Sequence, residues 1–156
     1  MCKIEKCVAG VAEFNVIAGN YQNIGYDTLL AQAKVVREEG IELYNAVHDV
    51  EGKEQILKEA VDVLVTAFGF VGILQNLGYD VYGAWKEVNK NNLDKFPKSQ
   101  TDAFYTKTGY EASGVTTEVV QYNHNTWVIK DTHGKVRKPI GYQKVCLKKY
   151  LPQEET

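Results

Sequence analysis

Glu39 and Glu42 form one acidic pair and Glu59 and Asp62 a second, each with its members three residues apart. On a helix, residues at that spacing are neighbours on one face. The second pair runs into AVDVLVTAFGFVGIL at residues 60–74, where Asp62 is the only charge. A helix that is apolar on nearly every side is a buried helix. A carboxylate taken out of water there costs on the order of several kcal/mol, so it pairs, shifts its pKa or holds a metal ion. A salt bridge to a Lys or Arg from another helix, or a helix end that leaves the carboxylate wet, would also satisfy it. If the four acids converge, a hard divalent cation resolves their repulsion. An oxygen-only ligand set selects Mg²⁺ or Mn²⁺ over Zn²⁺, which prefers His and Cys. Mg²⁺ bound this way keeps waters and is completed by substrate phosphates, which points to a phosphate ester or anhydride as substrate.

The elements that must position these acids are helices. A first helix is expected over about residues 4–18, with Ile4, Val8, Val11 and Phe14 on one face, ended by Gly19-Asn20. Asp27 or Thr28 is placed to cap a second helix running to about Val47, with the stripe Leu29, Ala33, Val36, Gly40, Leu43, Val47. At about 100° per residue from Val36, Glu39 falls at roughly −60°, Glu42 at roughly −120° and Glu38 at roughly −160°, so Glu39 borders the stripe and Glu38 points away. His48 to Gly52 reads as a turn, and a third helix over about residues 53–77 ends at Gly78 as a left-handed cap. Packed antiparallel, the second and third helices would bring Glu39, Glu42, Glu59 and Asp62 together. Asp80 can cap a fourth helix, which Pro97 stops at Phe96. Four helices with short connections predict a mainly α fold, an antiparallel four-helix bundle or a dimer that completes one.

Beyond Pro97, residues 98–115 are polar and rich in Gly, Ser and Thr and read as a long loop. Residues 116–138 then read as β structure around a turn at Asp131 to Gly134, giving a single domain of 1–156 with a helical catalytic core at 4–96 and a loop and β-hairpin extension at 97–156. Residues 130–149 carry seven Lys or Arg and one Asp, a run that most simply forms a solvated face. The net charge of −2 and a pI near 5.9 argue against nucleic acid or an anionic membrane as the main partner. The N-terminal sequence has Lys and Glu inside its apolar run, unlike a signal peptide, and residues 60–74 are too short to span a bilayer. Cys2, Cys7 and Cys146 are odd in number without a CxxC pair, which fits reduced thiols and a cytoplasmic protein. Tyr82 and Trp85, three residues apart, read as core before base-stacking.

EEGIE at 38–42, sixteen intervening residues, EAVD at 59–62 and NNLDKF at 91–96 together form a pattern more specific than any of them alone. In it the chain resembles the MazG-like all-α nucleoside triphosphate pyrophosphohydrolases, related to phosphoribosyl-ATP pyrophosphohydrolase. That family shows EExxE, a spacer and ExxD. Many phage-encoded members add an ANMSKF-like helix ending and a GKVxKPxGY-like segment, here Gly134 to Tyr142. The resemblance covers most of residues 4–150. It implies Mg²⁺-dependent hydrolysis of a (deoxy)nucleoside triphosphate to the monophosphate and pyrophosphate, in a homodimer or homotetramer, within the host cytoplasm for a phage-encoded member. Glu39, Glu42, Glu59 and Asp62 match the metal ligands, with Glu38 as the outer acid. Glu38 or Glu42 would orient the attacking water or take its proton. Asn92 and Lys95 match nucleotide contacts, Asn92 to sugar or base and Lys95 to phosphate, while Asp94 stands where the family has a small Ser. The base, with dGTP, dUTP and dCTP all open, is not specified. Two other readings are a nucleic-acid-binding accessory protein using the basic C-terminal stretch and a non-catalytic helical adaptor whose acids only hold the bundle.

Overall fold

The computed structural model describes residues 3–153. The chain is mainly α, with α1 Lys3–Ile17, α2 Tyr26–His48, α3 Lys53–Asn76, α4 Val81–Leu93 and α5 Gln100–Ala112, and one small antiparallel sheet of β1 Thr117–Asn123 and β2 Thr126–Asp131. It divides into two compact units, residues 1–81 with 150–156, and residues 82–149. No helix among the described residues is long and apolar enough to cross a membrane.

In the first unit, α1 and α2 both pack on α3. Gln32 donates to the carbonyl of Thr66 at 3.3 Å while Glu39 and Glu42 lie beside Glu59, so α2 and α3 run antiparallel. The N-cap of α2 is Gly25, not Asp27 or Thr28: the helix starts at Tyr26, and Thr28, at its third position, reaches back so that its hydroxyl accepts from the Gly25 N–H at 3.3 Å. Val50, in the α2–α3 turn, sits at φ +55°, a left-handed conformation that a β-branched residue rarely adopts. Gly78 takes the expected left-handed cap after α3, at φ +85°.

The faces differ from the apolar stripes. On α2, Leu29, Val36 and Leu43 turn inward as expected, but the positions between them are Gln32, Glu39 and the buried Ala46, while Ala33, Gly40 and Val47 are exposed. The centre of the inward seam is thus rotated by about half a residue, roughly 50°, toward the polar side. Its physical reason is the polar face it meets on α3, where Thr66 and Glu59 stand. On α1, Val11 and Asn15 are buried, whereas Ile4 and Phe14 are exposed. Asn15 fits there because Gly69 of α3 leaves it room: a Cβ on Gly69 would come within 3.3 Å of Asn15 Nδ2 and 3.4 Å of Gln32 Nε2. The Asn15 side chain donates to the Val11 carbonyl at 2.8 Å and accepts from Asn20 at 2.9 Å, so its burial is hydrogen-bonded. Helix α3 is not covered on all sides: Leu57 is 66% and Leu64 55% exposed.

In the second unit, residues expected as loop form α5. Ser99 caps it, its Oγ accepting from the Asp102 N–H at 3.1 Å and donating to Asp102 Oδ2 at 2.7 Å. Ala103, Thr106, Lys107 and Tyr110 make the inward stripe at i, i+3, i+4 and i+7, but only Ala103 is wholly apolar, so hydrophobic periodicity does not expose it. Helix α5 packs on the hairpin, against which Trp127 and Ile129 are buried. Register is Thr117↔Asp131, Val119↔Ile129 and Gln121↔Trp127, with an irregularity before the turn. That turn lies at His124-Asn125, where Asn123 Oδ1 accepts from the Asn125 N–H at 3.0 Å. The turn expected at Asp131 to Gly134 is also present and leads to a bridge between Lys130 and Val136. Here Asp131 is buried: its Oδ1 accepts from the N–H groups of His133 and Lys135, each at 2.9 Å, and its Oδ2 meets Arg137 at 2.6 Å. Helix α4 ends at Leu93, and the chain continues in turns to Pro97. Tyr82 and Trp85, read as core, are exposed instead. Cys7 and Cys146 are free and exposed, and Cys2 lies outside the described residues.

Candidate metal centre

The antiparallel pairing of α2 and α3 sets which acids meet. Glu39, on the inward seam of α2, and Glu42, one turn further, face Glu59 of α3, and one carboxylate oxygen from each lies within 4.8 Å of the others. Glu59 is the buried member, only 3% exposed. Its Oε1 accepts from Gln55, one turn earlier on α3, and from Lys58 at 3.1 Å. Its Oε2 is buried and has no hydrogen-bond partner among the described residues. A buried carboxylate oxygen without a donor is costly, and a cation at the meeting point of the three acids would remove that cost. The donor set is all oxygen, as Mg²⁺ or Mn²⁺ requires.

Asp62 is placed differently from the sequence expectation. Its side chain is 35% exposed and pairs with Lys58 at 2.8 Å, an i,i+4 contact on its own helix. It stays outside the three-acid group among the described residues, yet it adds to the negative field felt by Glu39. The deeply buried acid of the ExxD pair is therefore Glu59, not Asp62: the inward seam of α3 passes through Ile56, Glu59, Val63 and Thr66, and Asp62 falls at its edge. Lys58 is held protonated, its pKa raised by hydrogen bonds to Asp62 and Glu59. Partial burial raises the Glu39 carboxyl above its ordinary 4.5, and the charges of Glu42, Asp62 and Glu59 push the same way against the lowering effect of Lys58. Glu38 is exposed, on the side of α2 that the helical count assigned to it, whereas Glu42 is an exposed member of the acidic group itself.

Asn92 and Lys95 belong to the second unit. Lys95 Nζ donates to Asn92 Oδ1 at 2.7 Å, and both line an open concavity of about 530 Å³ with Leu93, Phe96 and Val136. Asp94, where the resembled pattern has Ser, points its carboxylate to Lys90 at 2.7 Å, so the substitution is accommodated by an ion pair on the helix surface. Two features escaped the sequence: the unpartnered Glu59 Oε2, which only packing reveals, and Lys58, whose i,i+4 spacing to Asp62 was visible. Comparison with protein-family models, with curated proteins and with solved structures finds no match to this chain.

Proposed function

We propose that the chain is a MazG-like pyrophosphohydrolase that hydrolyses a (deoxy)nucleoside triphosphate to the monophosphate and pyrophosphate with Mg²⁺ or Mn²⁺. The observation that carries this reading is the three-acid group itself: one carboxylate oxygen each of Glu39, Glu42 and Glu59 lies within 4.8 Å of the others, and Glu59 Oε2 is buried without a hydrogen-bond partner among the described residues. Those three residues would hold the ion, and Asp62 would join them by exchanging Lys58 for it. When bound, the ion neutralises the triphosphate, polarises the α-phosphoryl group and lowers the pKa of a nearby water. Glu42 is exposed within the group and so can take a proton from water, a role Glu38 could share only from the outer face of α2. Lys58, kept cationic, can meet phosphate oxygens as a mobile ammonium. Asn92 and Lys95 would contact sugar or base and phosphate. The base, dGTP, dUTP or dCTP, is left to experiment.

Assembly as a homodimer or homotetramer belongs to the same proposal. It is supported by the apolar side chains exposed on the first unit, among them Phe14, Ile41, Leu57 and Leu64, which a second copy would cover. The test is pyrophosphate release from a panel of dNTPs with Mg²⁺. Wild type should turn over at least one of them, and Glu59→Gln should lose at least a hundredfold in rate; turnover by Glu59→Gln at the wild-type rate would defeat the reading.

A further inference from the structure

The chain's small net charge hides a division between its two units. Residues 82–149 carry twelve Lys and Arg against six Asp and Glu, while the remainder carries six against fourteen. Five of the six acids of the second unit, all but Glu118, are moreover engaged. Asp131 is paired with Arg137, Asp94 with Lys90, Glu87 with Lys149 and Glu111 with Lys107, and Asp102 accepts from Ser99. Lys98, Lys144 and Lys148 make no ion pair among the described residues.

Segment 138–149 gathers this charge around aromatic rings. It is pinned to α4 and α5: the Ile140 N–H donates to Thr106 Oγ1 at 3.1 Å, Tyr110 donates to the Lys138 carbonyl at 3.0 Å, Asn91 donates to the Gln143 carbonyl at 2.8 Å, and Tyr142 donates to Asn91. Three open concavities of about 300, 600 and 500 Å³ follow one another along it. The first two share residues 139–142, and the second and third share Lys90, Asn91, Asp94 and Gln143, so they form one groove. At its centre Tyr105, 66% exposed, stands with Tyr142, whose ring carries Lys138 Nζ at 4.7 Å; Lys98 lines the same part, and Lys144 and Lys148 line the far end.

We infer that this groove binds single-stranded nucleic acid, with bases stacking on Tyr105 and Tyr142 and the phosphate backbone following Lys98, Lys138, Lys144 and Lys148. Cationic groups spaced along a groove and interrupted by rings are what a single strand requires, since every base has a stacking face and every linkage a charge. A mononucleotide would fill only one of the three concavities. An acidic polypeptide would use the lysines and leave the rings without a role.

Fluorescence anisotropy with a labelled oligodeoxythymidylate of about 12 nucleotides, at about 50 mM salt, tests the inference on the full chain. Binding is expected, and Tyr105→Ala should weaken it about tenfold while leaving heparin binding unchanged. Lys144→Ala with Lys148→Ala should weaken both and lower the slope of log affinity against log salt by about 1.4. These side chains are exposed, so unchanged melting temperatures will show that the variants fold. Glu59→Gln should bind the oligonucleotide like wild type, which separates this inference from the hydrolase proposal. Absence of binding would overturn it, as would equal competition by polyglutamate or by a single mononucleotide, or indifference to Tyr105→Ala.

Discussion

Lys58 reaches both acids of its own helix, standing 2.8 Å from Asp62 Oδ2 and 3.1 Å from Glu59 Oε1. The same ammonium therefore compensates a buried carboxylate and a half-exposed one, in the place where a divalent cation would add its charge. A cation held there would compete with Lys58. Lys58→Met is expected to bind Mn²⁺ about threefold to tenfold more tightly by calorimetry, since a unit charge a few ångströms away in a wet site is worth about 1 kcal/mol. Its metal-free form should melt lower than wild type, because Glu59 then lacks an ammonium donor. Weaker metal binding by this variant would show that Lys58 organises the acids instead of competing for them.

The Glu39 carboxyl titrates above its ordinary 4.5, chiefly through burial and then through the neighbouring acids. A carboxyl raised on folding binds its proton more strongly in the native state, so the metal-free protein loses stability as pH rises through the range just above 4.5 and does not regain it at neutral pH. Glu39→Gln should flatten that part of the stability–pH curve. At pH 7 without metal it should raise the melting temperature by about 1–3 °C, from relief of several like-charge contacts of a few tenths of a kcal/mol each. The variant should also lose most of the melting-temperature increase that Mg²⁺ gives wild type.

Asp131 titrates in the opposite sense. Burial alone would raise its carboxyl, but the N–H groups of Lys135 and His133 and the charge and hydrogen bond of Arg137 outweigh it and hold it below the ordinary 3.8. A depressed carboxyl stabilises the native state above its unfolded value, so this contribution is complete above pH 4 and lost as pH falls through the folded value. Asp131→Ala should lower stability by about 2–4 kcal/mol at pH 7, since it strips the partners from the turn and leaves Arg137 unpaired. The difference between variant and wild type should shrink below pH 3. Chemical denaturation across pH measures both.

Val50 holds φ +55° in the turn between α2 and α3, and it is exposed. Left-handed backbone costs a β-branched residue about 1–2 kcal/mol, part of which glycine returns through its freer unfolded chain. Val50→Gly should therefore raise stability by about 1 kcal/mol, or about 2–4 °C in melting temperature. A drop would mean that the valine side chain is covered, as in contact with a second copy.

The helices of the first unit and the meeting of Glu39 and Glu42 with Glu59, though not with Asp62, were legible because they rest on local rules: 3.6-residue periodicity, glycine stops and i,i+3 neighbours. The face each helix turns inward was less so. The apolar stripe of α2 contains Ala33 and Gly40, yet Gln32 and Glu39 occupy the seam, because the facing positions on α3, Thr66 and Glu59, are polar. Helix α5 was missed for a related reason, its buried stripe being carried by Thr106, Lys107 and Tyr110 around a single alanine, with Ser99 as the local signal.

By itself the sequence determined a mainly α chain with a small β segment near its C-terminus, a run of acids at helical spacing and the order of the elements, since these depend on neighbours along the chain. Which acid is buried was decided only by tertiary structure. Glu59 and Asp62 sit one turn apart with equal claims until α2 docks, and the antiparallel register then seals Glu59 Oε2 away from water while Asp62 stays within reach of Lys58. Tertiary structure also decided where the chain divides into an acidic and a basic unit, since charge summed along a chain carries no information about that division.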